Sequence, residues 1–304
     1  MRELKRHTRR ARWSVLAAGI AASLVLASCG SGASKDEPSG NSGASDGSPA
    51  SLVPGDIKER GYATIASDAT YPPIGFFAED GKTILGLDAD LIHELSKVLG
   101  IELREVAASF DAIIPGLQGN KFDFGMSWIN HTAEREKVVD FVDYSEDGSS
   151  ILALKGSATQ PKTLGEMCGL RVAVQKGTVQ QTDVMTQADK CKSDGDKEID
   201  LQVFPDQTAT NLSVLSGRSD VTLADTPVAV HQQNETKGKL VVLGEPYGSV
   251  LHGAAFPKGS KLAPAIAAAF QEIMDNGSYQ KILDKYDMGD AAIDSALLNG
   301  KPVK

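Results

Sequence analysis

The chain has 304 residues, 41% of them hydrophobic and 23% charged, with a formal net charge of −9 at neutral pH. An acidic body of this kind repels phosphate backbones and anionic lipid, which argues against a nucleic-acid partner. The length suits two ordinary domains or one large one.

Residues 1–28 read as an export signal rather than as folded protein. Arg2, Lys5, Arg6, Arg9, Arg10 and Arg12 form a basic head, and Ser14 to Ser28 is an apolar run, too short to span a bilayer comfortably. The run ends in Leu26-Ala27-Ser28-Cys29, which resembles the cleavage box of bacterial lipoproteins, where the cysteine is lipidated and becomes the mature N-terminus. Loss of this segment removes six basic residues and one acidic residue, leaving a net charge of about −14. Residues 29–55 are mostly Gly, Ser, Ala, Asp and Pro and read as a flexible tether. With Cys29 lipidated, Cys168 and Cys191 remain as a pair in an oxidising setting, and a disulfide between them is expected; the alternative is two unrelated thiols.

From Tyr62 the chain alternates strand and helix. Tyr62 to Ser67 reads as a strand that Asp68-Ala-Thr-Tyr71-Pro-Pro terminates, because proline cannot continue it. Leu87 to Leu99 carries a helical apolar stripe stopped by Gly100, and Ile101 to Val106 is a strand. Phe110 to Gln118 is a short helix, and Phe122 to Ile129 a buried strand. Thr132 is a good N-cap for a helix from Ala133 to Phe141, which puts Arg135 beside backbone amides with no intrahelical partner. A guanidinium there makes a carboxylate receptor, or else belongs to a solvated charged helix with Glu134, Glu136 and Lys137. Ser150 to Leu154 is a further strand. The alternation restarts with strands at Leu170 to Val174, Leu201 to Phe204, Val221 to Ala224 and Leu240 to Leu243. Helices are expected from Thr178 to about Ala188, from Thr208 to Ser216 and after Asp225, and two more run from Ser260 to Asn276 and Ser278 to Tyr286. This is an α/β pattern in two lobes, and Asp68, Arg135, Thr178 and Asp225 all fall where such sheets bind ligands, at strand exits.

Six ordered blocks between Tyr62 and Tyr286 resemble the bacterial family 3 extracellular solute-binding proteins, the substrate-binding lipoproteins of polar amino-acid ABC transporters. They are Ala66-Ser-Asp-Ala-Thr-Tyr-Pro-Pro73, Leu85-Gly-Leu-Asp-Ala-Asp-Leu91, Phe110-Asp-Ala-Ile-Ile-Pro-Gly-Leu117, Thr132-Ala-Glu-Arg135 with Val139-Asp-Phe141, Val172-Ala-Val-Gln-Lys-Gly-Thr178, and Asp220-Val-Thr-Leu-Ala-Asp225. The resemblance implies a two-lobed type II periplasmic-binding-protein fold with two crossing hinge strands. Residues 56–150 and 249–304 form lobe 1, and residues 151–248 form lobe 2. By the family pattern Arg135 grips a ligand α-carboxylate, helped by Asn130 and Thr178, and Asp225 takes the α-ammonium. Tyr71 and Phe110 sandwich the side chain, Asp68 lines its far end, and Ser127, Trp128 and Gln175 complete the lining. Trp128 and Asn130 stand where relatives commonly carry Gly, Ser or Thr, so Trp128 is either core or a wall that narrows the pocket. Gln175 replaces a lysine of some relatives.

The expected function is that of a monomeric, extracytoplasmic lipoprotein, anchored through Cys29, that captures an amino acid or similar zwitterion for an ABC permease. No cofactor, metal or catalytic residue is expected. The rival readings are an enzyme on the same scaffold, of dehydratase or lytic type, and a signalling receptor lipoprotein. His93, His131, His231 and His252 show no metal-binding spacing, though His131 lies near the expected cleft.

Overall fold

The computed structural model describes residues 47–303, so the leader, Cys29 and most of the tether lie outside the described residues. A ten-stranded mixed sheet runs through the folded body, and two long antiparallel strands, Val139–Leu154 and Leu240–Pro257, form its centre. On one side Phe124–Asn130, Tyr62–Ser67 and Glu102–Ala107 pair in parallel. On the other side Val221–Asp225, Arg171–Gln175 and Asp200–Phe204 do the same. The larger apolar core fills the first half and reaches into the second through Val214, Val228 and Leu240, and a smaller one lies wholly in the second. Leu91, Leu95, Phe124, Phe256 and Phe270 belong to one, and Val172, Val174, Val184 and Leu223 to the other. The result is an α/β protein of two lobes joined by two crossing strands.

The element from Ala133 to Phe141 departs from expectation. Its helix is a single turn, Ala133–Glu136, capped by the Thr132 hydroxyl, and a strand takes over at Val139. The run Val139-Asp-Phe-Val-Asp-Tyr144 is rich in β-branched and aromatic residues, and its pairing with Leu240–Pro257 overrides weak helical periodicity. The short strands expected at Ser150 to Leu154 and Leu240 to Leu243 are the ends of strands of 16 and 18 residues. A small sheet (Thr70–Tyr71, Gly75–Phe77, Ile84–Leu85) and the strand Ala292–Leu298 give too short or too mixed a pattern to be read from sequence. Ordered structure also starts inside the expected tether: Pro49–Leu52 is helical, and Val53 and Ile57 join the lobe 1 core.

Cys168 and Cys191 are joined as a disulfide, tying the short 3-10 turn Leu164–Met167 to the helix Val179–Asp194. Among the described residues no helix is long and apolar enough to cross a membrane.

Candidate functional site

Asp225 ends a fully buried strand and occupies the N-cap position of the helix Thr226–Glu235, yet its side chain makes no capping bond. The carboxylate turns toward the other lobe instead. The Tyr71 hydroxyl donates to Oδ2 at 2.7 Å and accepts from the Asp225 backbone N–H at 2.9 Å. Gln180 Nε2 donates to Oδ1 at 2.8 Å and Asn130 Nδ2 at 3.3 Å, with His252 Nε2 3.6 Å away. Burial alone raises the Asp225 carboxyl, but His252 and the hydrogen bonds from Tyr71 and Asn130 outweigh it and leave it below the ordinary range.

Arg135 reaches the same place from the single helical turn of lobe 1. Its Nη1 donates to the Asn130 carbonyl at 2.8 Å and approaches Asn130 Oδ1 at 3.5 Å, while Nη2 donates across the cleft to the Gly177 carbonyl at 3.0 Å. The Phe110 ring lies 5.5 Å beneath the guanidinium. Its two close acceptors are neutral, so burial lowers the guanidinium to about 10 despite the nearby Asp225. One side-chain amide, that of Asn130, touches both the cation and the anion of the cleft.

Further contacts bind lobe to lobe. Gln175 Nε2 donates to Asp68 Oδ2 at 2.7 Å, and Lys176 pairs with Asp111 at 2.7 Å. Asp68 also accepts from the Thr70 amide and hydroxyl, its own amide donates to Ser127 Oγ at 3.1 Å, and burial raises its carboxyl. The Thr178 hydroxyl caps the helix Val179–Asp194 by accepting from the Gln181 amide, and it donates to the Gln175 carbonyl. Gly177 takes φ +81°, and a Cβ there would sit 2.9 Å from Asp111 Cβ, so the cross-lobe approach requires glycine.

The structure thus gathers Arg135, Asp225, Asn130, Tyr71, Phe110, Thr178, Asp68, Ser127 and Gln175 along one inter-lobe seam. Trp128 differs. With φ +49° its ring leaves the seam and packs in the lobe 1 core, edge-on to Tyr144 and stacked on His252, with 1% exposure. The indole N–H points to Asp147 Oδ2 at 3.4 Å. It is core, and it does not narrow the pocket. His131 is held by Asp143 at 2.9 Å and stacks on Phe141, a structural arrangement. Three polar residues behind the cleft, the buried Gln180 and His252 and the half-buried Asp147, escape sequence reasoning. For His252 a signal existed: it is the one titratable group within the otherwise uncharged run from Gly248 to Phe256. One donor atom each from Asp147, Asp225 and His252 lies within 4.8 Å of the others, a spacing a cation could use. Asp225 Oδ1 there is already taken by the Gln180 and Asn130 amides, and His252 Nδ1 lacks the second hydrogen bond that metal-binding imidazoles almost always make.

Two α/β lobes, two crossing strands and a charged seam between them define the class of two-lobed extracytoplasmic binding proteins. The chain belongs to the bacterial extracellular solute-binding proteins, family 3, whose model matches residues 63–290. It is 32% identical over 288 residues to the arginine-binding protein ArgT of Corynebacterium glutamicum, covering 93% of this chain and 94% of that protein. It is 30% identical to the L-cystine-binding protein TcyJ of Escherichia coli over 76% of this chain and 84% of the relative. Among solved structures, an ancestral arginine-binding protein bound to arginine superposes with a TM-score of 0.69 at 32% identity, covering 75% of this chain and 98% of that one.

Proposed function

We propose that this protein is the receptor of an ABC importer, and that it captures a free amino acid with a cationic side chain, arginine foremost, between its lobes. The observation that carries the reading is the Asn130 amide shared by Arg135 and Asp225, which sets a cation and an anion side by side at the meeting of the lobes. A zwitterion entering such a cleft loses hydration at both ends, so each end needs a paired partner. Arg135 supplies one for the carboxylate and Asp225 one for the ammonium. They belong to different lobes, so binding favours closure. Asp68 then supports the side-chain class. It is a buried carboxylate whose cross-lobe partner is the neutral Gln175, and burial already disfavours its charge. A guanidinium or ammonium on the ligand's side chain would supply the missing counter-charge, in line with the arginine-binding relatives. Lipid anchoring at Cys29 and delivery to a membrane permease complete the reading.

The cleft acids favour binding over catalysis. Asp68 and Asp225 are each held by several fixed donors, which leaves neither free to move a proton. The test is a thermal-shift screen of amino acids. A ligand at about 100 times its dissociation constant stabilises the native state by about 2.7 kcal/mol. Arginine or lysine should raise the melting temperature more than glutamine does, and the bound ligand should be recovered chemically unchanged. No shift with any amino acid, or turnover of the ligand, refutes the reading.

A further inference from the structure

His252 sits on the second crossing strand at a register shift, opposite Ser145 on one side and Asn130 on the other, with no exposed surface. Its Nε2 faces three groups at once. The Asn130 amide donates to it at 2.8 Å, which requires Nε2 to be unprotonated. Asp147 Oδ1, from the first crossing strand, lies 3.2 Å away, and Asp225 Oδ1, from lobe 2, 3.6 Å away; both oxygens need Nε2 to carry a proton. The Asn130 amide cannot turn to suit, because its oxygen faces the Arg135 guanidinium. With the ring's proton on Nδ1, the tautomer that keeps the Asn130 bond, Asp147 Oδ1 and His252 Nδ1 are left buried without a partner. With a proton on Nε2, Asp147 is satisfied and the Asn130 bond is lost, and only the charged ring also brings a positive charge to the two carboxylates beside it. The imidazole therefore has two arrangements, and both lobes and both crossing strands read which one it adopts.

We propose that His252 is a positioning residue that acts as a proton switch for the cleft: it neutralises Asp225 in the ligand-free protein and gives up its proton when the ligand's ammonium takes that place. Imidazolium and ammonium compete for one carboxylate. The released proton passes to solvent, and Asp147, which lines a cavity of about 420 Å³ bounded by both crossing strands and the helix Thr226–Glu235, offers the way out. The charged groups acting on the ring are Asp147 and Asp225, which hold its proton, Arg135, which opposes it, and Asp88 from the helix Leu87–Leu99. The Trp128 ring stacks on the imidazole and fixes its plane.

This inference rests on the amino-acid receptor reading, and its test separates the two. Calorimetry with L-arginine in buffers of different ionisation enthalpy, between about pH 5.5 and 7.5, counts protons released. The wild type should release a fraction of one proton and bind more tightly as pH rises, with a limit of about tenfold per pH unit for a single proton. His252→Gln and Asp147→Asn should still bind arginine with a flattened pH profile and little release. Proton uptake, or an unchanged pH profile in both variants, overturns the proposal. NMR titration of the His252 imidazole in the ligand-free protein decides independently. A ring charged at neutral pH supports the switch, and a ring neutral throughout overturns it even where arginine fails to bind. Failure of every amino acid to bind is instead the failure of the receptor reading.

Discussion

Removal of the Arg135 guanidinium should cost the receptor its grip on the ligand carboxylate. Burial lowers this group from its ordinary value to about 10 because its close acceptors are the neutral carbonyls of Asn130 and Gly177. At 1.36 kcal/mol per unit, the charged form is short of about 3 kcal/mol of compensation, which a bound carboxylate can return. Arg135→Ala should therefore weaken arginine binding by roughly 100- to 200-fold, within the range for truncating one partner of a buried pair. Arg135→Lys should fall between, since an ammonium keeps the charge and loses the two-pronged geometry. Titration calorimetry with L-arginine and L-argininamide, whose carboxylate is replaced by a neutral amide, separates this contact from general damage. The wild type should discriminate strongly between the two ligands, and Arg135→Ala should barely do so. If the variant keeps the wild-type discrimination, Arg135 does not hold the carboxylate, and the reasoning fails.

Asp68→Asn should lower affinity for arginine by about tenfold or more while sparing glutamine, and Gln175→Lys, which places a cation at the same carboxylate, should do likewise; equal losses for both ligands contradict the side-chain assignment. Replacing both Cys168 and Cys191 with serine opens a loop spanning 23 positions and should cost roughly 3 kcal/mol, lowering the melting temperature by about 6 to 12 °C; an unchanged melting temperature refutes this. Asp88 is buried beneath Trp128 and Tyr144, and burial pushes it from 3.8 up to about 7. A folded value above the unfolded one means that its stabilisation is full below 3.8 and is lost as pH rises toward about 7. The stability of Asp88→Asn relative to wild type should therefore improve across that window, and parallel melting curves contradict the assignment.

Much of this was legible before coordinates, for physical reasons particular to each residue. Arg135, Thr178 and Asp225 stand at strand exits followed by capping or helix-start chemistry, so their position follows from local pattern. Thr132 caps its helix as its residue type suggests, but the helix stops after one turn, because Val139 onward pairs with a strand about a hundred residues away. Local periodicity carries no information about that partner. Trp128 was open between core and pocket wall, and its left-handed backbone decides the matter, a conformation that residue type alone does not announce. Tyr71 was expected as an aromatic wall, and its hydroxyl also bridges to Asp225, a contact that exists because the lobes meet. Gln180, Asp147 and His252 lie in different lobes and hinge strands, and their assembly depends on the crossing geometry.

The most direct test of the central claim is a crystal structure of the protein grown with L-arginine. The account predicts one arginine between the lobes, its carboxylate on the Arg135 guanidinium, its ammonium on Asp225 and its side chain directed to Asp68. Arginine bound elsewhere, or bound with its charged ends touching neither Arg135 nor Asp225, contradicts it.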